Sequence, residues 1–160
     1  MTIRLATRDD AEAIWRIFHA VVAGGDTYTF LPDTPRDQAV DYFLAAGISS
    51  WVIEEDGRVI GVYKMIPNHG GLGAHVANAS FMVDPAAHGK GAGRAMGEHC
   101  LDQARQAGYE AMQFNFVVST NTAAVALWKK LGFSIVGTLP KVYRHSRLGY
   151  VDAYVMHRFL

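Results

Sequence analysis

The run VANASFMVDPAAHGKGAGR, from Val76 to Arg94, constrains the fold of this chain more than any other part of it. Alternating apolar residues stopped by Asp84-Pro85 read as a strand, and a glycine-rich loop that opens a helix begins three residues later. Glycines let backbone amides approach an anion closely, and the start of a helix adds a favourable dipole, so the stretch from His88 to Gly93 is a ready phosphate cradle. That points to a phosphorylated cofactor.

The segments on either side of this unit are equally patterned. Thr2 to Ala6 reads as a first strand, and Thr7 with Asp10 forms a capping box before a helix with Ile14, Ile17, Phe18 and Val21 on one face. Thr34, Pro35 and Asp37 then supply an N-cap, a first-turn proline and a capping acid for a second helix ending at Gly47. Strands at Trp51 to Glu55 and Val59 to Ile66 flank Asp56-Gly57, a strong hairpin signal. After the glycine-rich loop comes a helix from Gly91 or Ala92 to Ala107. Ala111 to Val118 then alternates, with Met112, Phe114, Phe116 and Val118 on one face and Gln113 and Asn115 on the other. Ala124, Leu127, Trp128 and Leu131 share a helix face, and strands at Phe133 to Leu139 and Tyr150 to Arg158 close the chain. The order βααβββαβαββ predicts an α/β (α+β) fold: a mixed, mostly antiparallel sheet of about seven strands flanked by about four helices, not a doubly wound one.

Composition excludes several classes of partner. Fifteen basic and fifteen acidic residues cancel, which disfavours nucleic acid and anionic membrane surfaces. A length of 160 residues suits a single domain, 1–160, burying roughly two thirds of the surface that its unfolded form exposes. Cys100 stands alone among Met96, Leu101 and Ala104, which is the setting of a buried thiol and fits a cytoplasmic protein. The N-terminal MTIRLATRDD lacks the basic region and apolar core of a signal peptide.

Two motifs together carry a family resemblance. VDPAAHGKGAGRAM resembles the acyl-CoA motif of the GNAT acetyltransferases, and NTAAVALWKKLGF resembles that family's later helix-plus-GF signature, in the expected order. A nucleotide P-loop does not fit, because Lys90 precedes Gly91 where that motif needs Lys followed by Ser or Thr. The resemblance implies acetyl-CoA as co-substrate with no metal. It assigns Met82 and Val83 to the pantetheine arm and His88, Gly89, Lys90, Gly91, Ala92, Gly93 and Arg94 to the pyrophosphate, with Asn121 and Trp128 beside the same cofactor. It also implies a homodimer. Two positions depart from the family pattern: His88 stands where Arg or Gln is usual, and Trp128 stands where a tyrosine is proposed to protonate the leaving thiolate.

The implied reaction is attack of an amine on the acetyl thioester through a tetrahedral intermediate, with a backbone amide near Met82 or Val83 as oxyanion donor. An amine of lysine-like pKa is neutral only about once in a few thousand molecules at pH 7, a cost of roughly 4 to 5 kcal/mol. Help with the proton is therefore worth having, yet the strand from Val76 to Val83 has no carboxylate. Asn78 and Ser80 share one of its faces. If that strand neighbours the one bearing Asn115, Asn78 and Asn115 converge and position the amine or a water rather than act as bases. His69, His75 and Asp152 are the titratable candidates, and Tyr143 is the substitute acid. Tyr28 and Phe30 are expected to line the acceptor pocket. The short run FNFVVSTN is similar to the yeast proline-analogue acetyltransferase, which suggests a small primary or secondary amine, an amino acid or an analogue, as acceptor. A non-catalytic acyl-CoA-binding sensor, a protein N-acetyltransferase and an interaction module that has kept only the fold are the alternatives.

Overall fold

The computed structural model describes residues 1–160. Seven strands form one sheet: β1 (Thr2–Leu5), β2 (Ser49–Glu55), β3 (Arg58–Pro67), β4 (Val76–Val83), β5 (Ala111–Val118), β6 (Ser134–His145) and β7 (Gly149–Phe159). Four α-helices cover it: α1 (Ala11–Ala23), α2 (Arg36–Leu44), α3 (Ala92–Gln106) and α4 (Thr122–Lys130). This is the expected element order and strand number. The strands lie in the order β1-β2-β3-β4-β5-β7-β6, and every neighbouring pair is antiparallel except β4 and β5. That pair is parallel because α3 connects it as a crossover.

Each face of the sheet buries its own apolar cluster. Ile14, Ile17 and Phe18 of α1 and Ala39 and Phe43 of α2 pack on Val52, Val62 and Met82. On the opposite face Met96, Cys100 and Ala104 of α3 and Trp128 of α4 pack on Ile53, Tyr63, Met112 and Phe114. Side chains alternate between the two clusters along each strand, so successive residues of β4 face different helices. The Asp56-Gly57 turn forms as expected, with φ of 51° and 74°.

Two local expectations are corrected. Thr34 does not cap α2. Its hydroxyl donates to Leu31 O at 2.6 Å, and Pro35 takes the N-cap position instead. The alternation in β5 also breaks. Phe114 pairs with Met156 and Val117 with Tyr154, so two residues, Asn115 and Phe116, stand opposite one. This bulge turns Val117 rather than Phe116 onto the face of Phe114, and Val117 joins the α3–α4 cluster.

The feature that makes a site is the parting of β4 and β5. Their ladder holds only Val76 with Ala111 and Ala77 with Met112, and beyond it the strands diverge. Their C-terminal halves therefore present backbone groups and side chains to a cleft that runs from α3 toward the loop after α1.

Candidate functional site

At one end of the cleft lies the glycine-rich loop. Gly89 and Gly91 take φ of 81° and 86°, a left-handed conformation that costs another residue roughly 1 to 2 kcal/mol, and a Cβ at either would meet only open space. The amides of Gly89, Lys90, Gly91, Ala92, Gly93 and Arg94 donate to no protein acceptor, and the first helical bond here runs from Ala95 N to Gly91 O at 3.0 Å. Six free donors around the start of a helix fit a diphosphate. Lys90 pairs with Glu55 at 2.7 Å and Arg94 with Glu98 at 2.8 Å, both on the surface, so each cation sits beside the cradle rather than in it. His88 is exposed at the entrance of the loop and makes no side-chain hydrogen bond.

The loop is held from beneath by Asp84, which is only 6% exposed. Its carboxylate accepts the Ala86 N–H at 3.0 Å, pairs with Arg58 at 3.0 Å and forms an ion pair with Arg16. Burial alone would raise its pKa. The Ala86 amide and the two arginines outweigh that and hold it below the usual carboxylate range.

Along the cleft, hydrogen-bond parity decides what β4 offers. Asp84 N donates to Ile60 O and Asn68 N to Val76 O, each at 2.8 Å, which fixes the even-numbered residues of β4 as the ones bonded to β3. Met82 therefore spends its backbone on Val62, and its side chain lies in the α1–α2 core. Phe81 and Val83 turn their backbone toward the cleft. Of the expected pair, Val83 turns its backbone to the cleft and Met82 does not; Phe81 turns its backbone there as well, with its N–H unpaired and its carbonyl accepting from Tyr28.

Where the strands part, a cavity of about 420 Å³ opens. Its apolar wall includes Phe81, Phe114 and Trp128, with ring centroids 4.9 and 4.7 Å from Trp128. Trp128 is thus both core residue and cavity wall. Asn121 caps α4, its side-chain oxygen accepting the Ala124 N–H at 3.3 Å, and also lines the cavity. Tyr28 and Phe30 close the opposite wall. Tyr28 donates its phenolic proton to Phe81 O at 2.7 Å. Ser80, 2.8 Å away, must then donate to Tyr28 and accept from Tyr42 at 2.9 Å. Burial pushes the phenols of Tyr28 and Tyr42 up, so both stay protonated at neutral pH.

Four side-chain amides meet at the point of divergence. Asn78 and Asn115 both donate to Asn68 Oδ1, at 3.2 and 2.7 Å, and Gln113 donates to Asn115 Oδ1 at 2.9 Å. The expected convergence of Asn78 and Asn115 is present, through a third residue that sequence reasoning missed. Asn68 lies in a loop outside any periodic pattern, so no local signal marks it. Ser80 and Asp84 were likewise visible only as a residue on a face and a residue at a turn, and nothing local marked Tyr42.

The other candidates lie elsewhere. His75 is exposed ahead of β4, at the paired end of the two strands, and His69 is exposed in the loop before it. Asp152 accepts from Lys141 N at 2.9 Å, supporting an irregularity in β6 where Lys141 has φ of 52°, and makes no ion pair with Arg144 or Arg147. Tyr143 is buried, and its hydroxyl donates to Tyr28 O at 3.0 Å. Burial raises its pKa, so this phenol braces the loop that carries Tyr28. None of these four lines the cavity.

Comparison with known proteins agrees with this geometry. Residues 12–133 match the model of the acetyltransferase (GNAT) family. A GCN5-related N-acetyltransferase from Kribbella flavida superposes with a TM-score of 0.94 at 44% identity, over 99% of this chain and 97% of that one. The structure of yncA from Salmonella typhimurium, solved with its cofactor acetyl-CoA, superposes with a TM-score of 0.87 at 28% identity, over 100% and 94%. In sequence, the L-amino acid N-acyltransferase MnaT of Escherichia coli K12 is 31% identical over 148 residues, 89% of this chain and 84% of that protein. With the phosphate cradle, the parted strands and the family match in agreement, this chain belongs to the GNAT family of acetyl-CoA-dependent N-acetyltransferases.

Proposed function

We propose that the protein, acting as one catalytic domain, transfers the acetyl group of acetyl-CoA to the primary or secondary amine of a small molecule, an amino acid or a close analogue. The observation that carries this reading is the cavity of about 420 Å³ at the parting of β4 and β5. Its size suits a small molecule. It is walled by aromatic rings and bordered by the amide cluster, and the similarity to an L-amino acid N-acyltransferase points the same way.

The free amides from Gly89 to Arg94 hold the pyrophosphate, and the cleft-side backbone of Phe81 and Val83 holds the pantetheine arm as an added strand would. Asn121 and Trp128 border the arm near its thioester end. A cleft-side N–H of β4 serves as the oxyanion donor. Asn78 keeps its Oδ1 free, and that oxygen accepts an N–H of the amine and aims its lone pair at the thioester carbonyl. The amine adds to the carbonyl carbon, forming the C–N bond while the carbonyl electron pair moves to the oxyanion, and collapse of that tetrahedral intermediate breaks the C–S bond. Its surplus proton passes to water, and the thiolate leaves as such. Leaving as a thiolate of pKa about 8.5 at pH 7, rather than as the thiol, costs only about 2 kcal/mol, so a dedicated acid at the Trp128 position is dispensable.

A homodimer that acts in the cytoplasm completes the reading. Strand β6 is an edge of the sheet and exposes Val136 and Val142, with Tyr150 exposed on the neighbouring β7. Unpaired apolar edges favour pairing with another chain. Cys100 is buried with its thiol pushed well up by desolvation, a state that calls for no oxidising compartment.

The test is release of free CoA thiol in the presence of a library of amino acids, simple amines and short peptides. Turnover with small amines is expected. Tight CoA binding without transfer to any member would replace this reading with a sensor, and turnover of peptides alone would replace it with a protein acetyltransferase.

A further inference from the structure

A second cavity adjoins the first. It encloses about 300 Å³ and shares Thr27 and Asn121 with its neighbour. Three segments build it: the loop after α1, the start of α4, and the turn between β6 and β7. Ser146 stitches the first to the third, its N–H donating to Gly25 O at 2.9 Å and its hydroxyl to Gly24 O at 3.0 Å. Gly25 makes that stitch possible, since it takes φ of 61° and a Cβ there would lie 2.8 Å from Ser146 Cβ.

Donors outnumber acceptors in this cavity. The hydroxyl oxygens of Thr27 and Thr120 are the only two buried side-chain polar atoms of the chain without a partner, and both residues line it. His145 is 6% exposed, and its Nδ1 accepts from the N–H groups of Arg147 and Leu148 at 3.1 and 3.2 Å. The ring proton of neutral His145 therefore sits on Nε2, where it meets no protein acceptor. The α4 amides of Thr122 and Ala123 also donate to nothing, because the Asn121 cap serves Ala124. Arg147 is 69% exposed and is held only by Asp26, at 4.0 Å, the outer limit of an ion pair. Asp26 is the one carboxylate against this group of donors.

We propose that this cavity is the subsite for the carboxylate of the acceptor, with Arg147 as its specificity-determining residue. The amine then lies in the first cavity, and the substrate class narrows to amines that carry a carboxylate a few bonds away. A carboxylate accepts several hydrogen bonds at once and satisfies donors that the fold leaves unpaired. It displaces Asp26 as the partner of Arg147. This inference rests on the proposed transfer to small amines.

Thiol release is measured for the proteinogenic amino acids and for their methyl esters, with wild type, Arg147→Ala and Arg147→Lys. Chemistry alone favours the esters, whose amines are less basic, so a preference for the free acids reports the subsite. The expected result is kcat/KM at least tenfold higher for the acids. Arg147→Ala should remove most of that ratio through KM, with the Kd of acetyl-CoA within twofold of wild type, and Arg147→Lys should restore part of it. Asp26→Asn should lower KM for the acids. Esters used as well as acids, an undiminished ratio in Arg147→Ala, or turnover confined to amines without a carboxylate would each overturn the subsite while leaving amine acetylation standing. Absence of turnover with every amine would remove the underlying reading instead.

Discussion

Asn115 donates to Asn68 Oδ1 at 2.7 Å across 47 residues of sequence. The bond spans the base of the cleft, tying the loop after β3 to a strand that is not its neighbour in the sheet. Asn78 donates to the same oxygen, so one carbonyl orients two amides, and Gln113 occupies the oxygen of Asn115. Asn78 Oδ1 is left without a partner, free for the role toward the amine proposed above. Asn115→Ala and Asn68→Ala are each expected to lower kcat by about tenfold or more, since misplacing a reacting group by an ångström costs on the order of a hundredfold. The Kd of acetyl-CoA should stay within twofold. Asn68→Asp, which keeps the double acceptor, should recover part of the rate. Steady-state kinetics alongside calorimetric CoA binding checks all three, and unchanged rates would return the cluster to a structural role.

The cradle depends on Gly91. Gly91→Asp places a side chain at φ of 86° and a negative charge at the proposed pyrophosphate site. Loss of CoA binding is expected. With CoA at about 100 times Kd, wild type gains roughly 2.7 kcal/mol and melts at a higher temperature. The variant should show no such shift, and a normal shift would refute the assignment of the loop.

Asp84 links the loop to α1 and β3, through Arg16 and Arg58. Asp84→Ala should cost about 1 to 3 kcal/mol, less than a fully buried pair because both arginines reach solvent. The native pKa of Asp84 lies below its unfolded value, so its stabilisation is complete above the unfolded pKa and is lost as pH falls through the native one. Asp10, lowered chiefly by its hydrogen bonds with Arg4, acts in the same direction. Chemical denaturation between pH 7 and 3 should show wild type losing more stability than Asp84→Asn.

Lys64 is 8% exposed, has no carboxylate within ion-pair distance, and places its ammonium 3.3 Å from the centroid of the Tyr42 ring. Desolvation pulls its pKa down to about 8 from 10.5. Between those values the unfolded chain holds a proton that the folded chain has released, so wild type gains stability as pH rises from about 8 toward 10.5. Lys64→Met should raise stability at pH 7 by about 1 kcal/mol, because relief of the buried charge outweighs the cation–π attraction that the lysine supplies. It should also flatten the rise between pH 8 and 10. Urea midpoints at pH 7 and 9.5 decide this.

The proposed dimer is open to the same kind of test. Light scattering is expected to give a mass of twice 17.5 kDa. Val136→Lys with Val142→Lys should halve it by placing charges on the exposed edge strand.

What the sequence by itself determined was local. Hydrophobic period, caps and turn dipeptides marked all eleven strands and helices in order, because each is written in a window of a few residues. The glycines at 89 and 91 were legible for the same reason: positive φ is a property of one residue, and a helix start carries its own free amides. The two family motifs lie in the same windows. Tertiary structure decided how distant windows meet. Which residues of β4 face the cleft depends on the β3 register, a one-residue choice that replaces Met82 with Phe81 and that no period in β4 encodes. The bulge at Asn115 and Phe116 exists only relative to β7. Asn68 and the donors around Arg147 gain their roles from neighbours dozens of residues away. Long-range hydrogen bonds and packing, not local propensity, put them in one place.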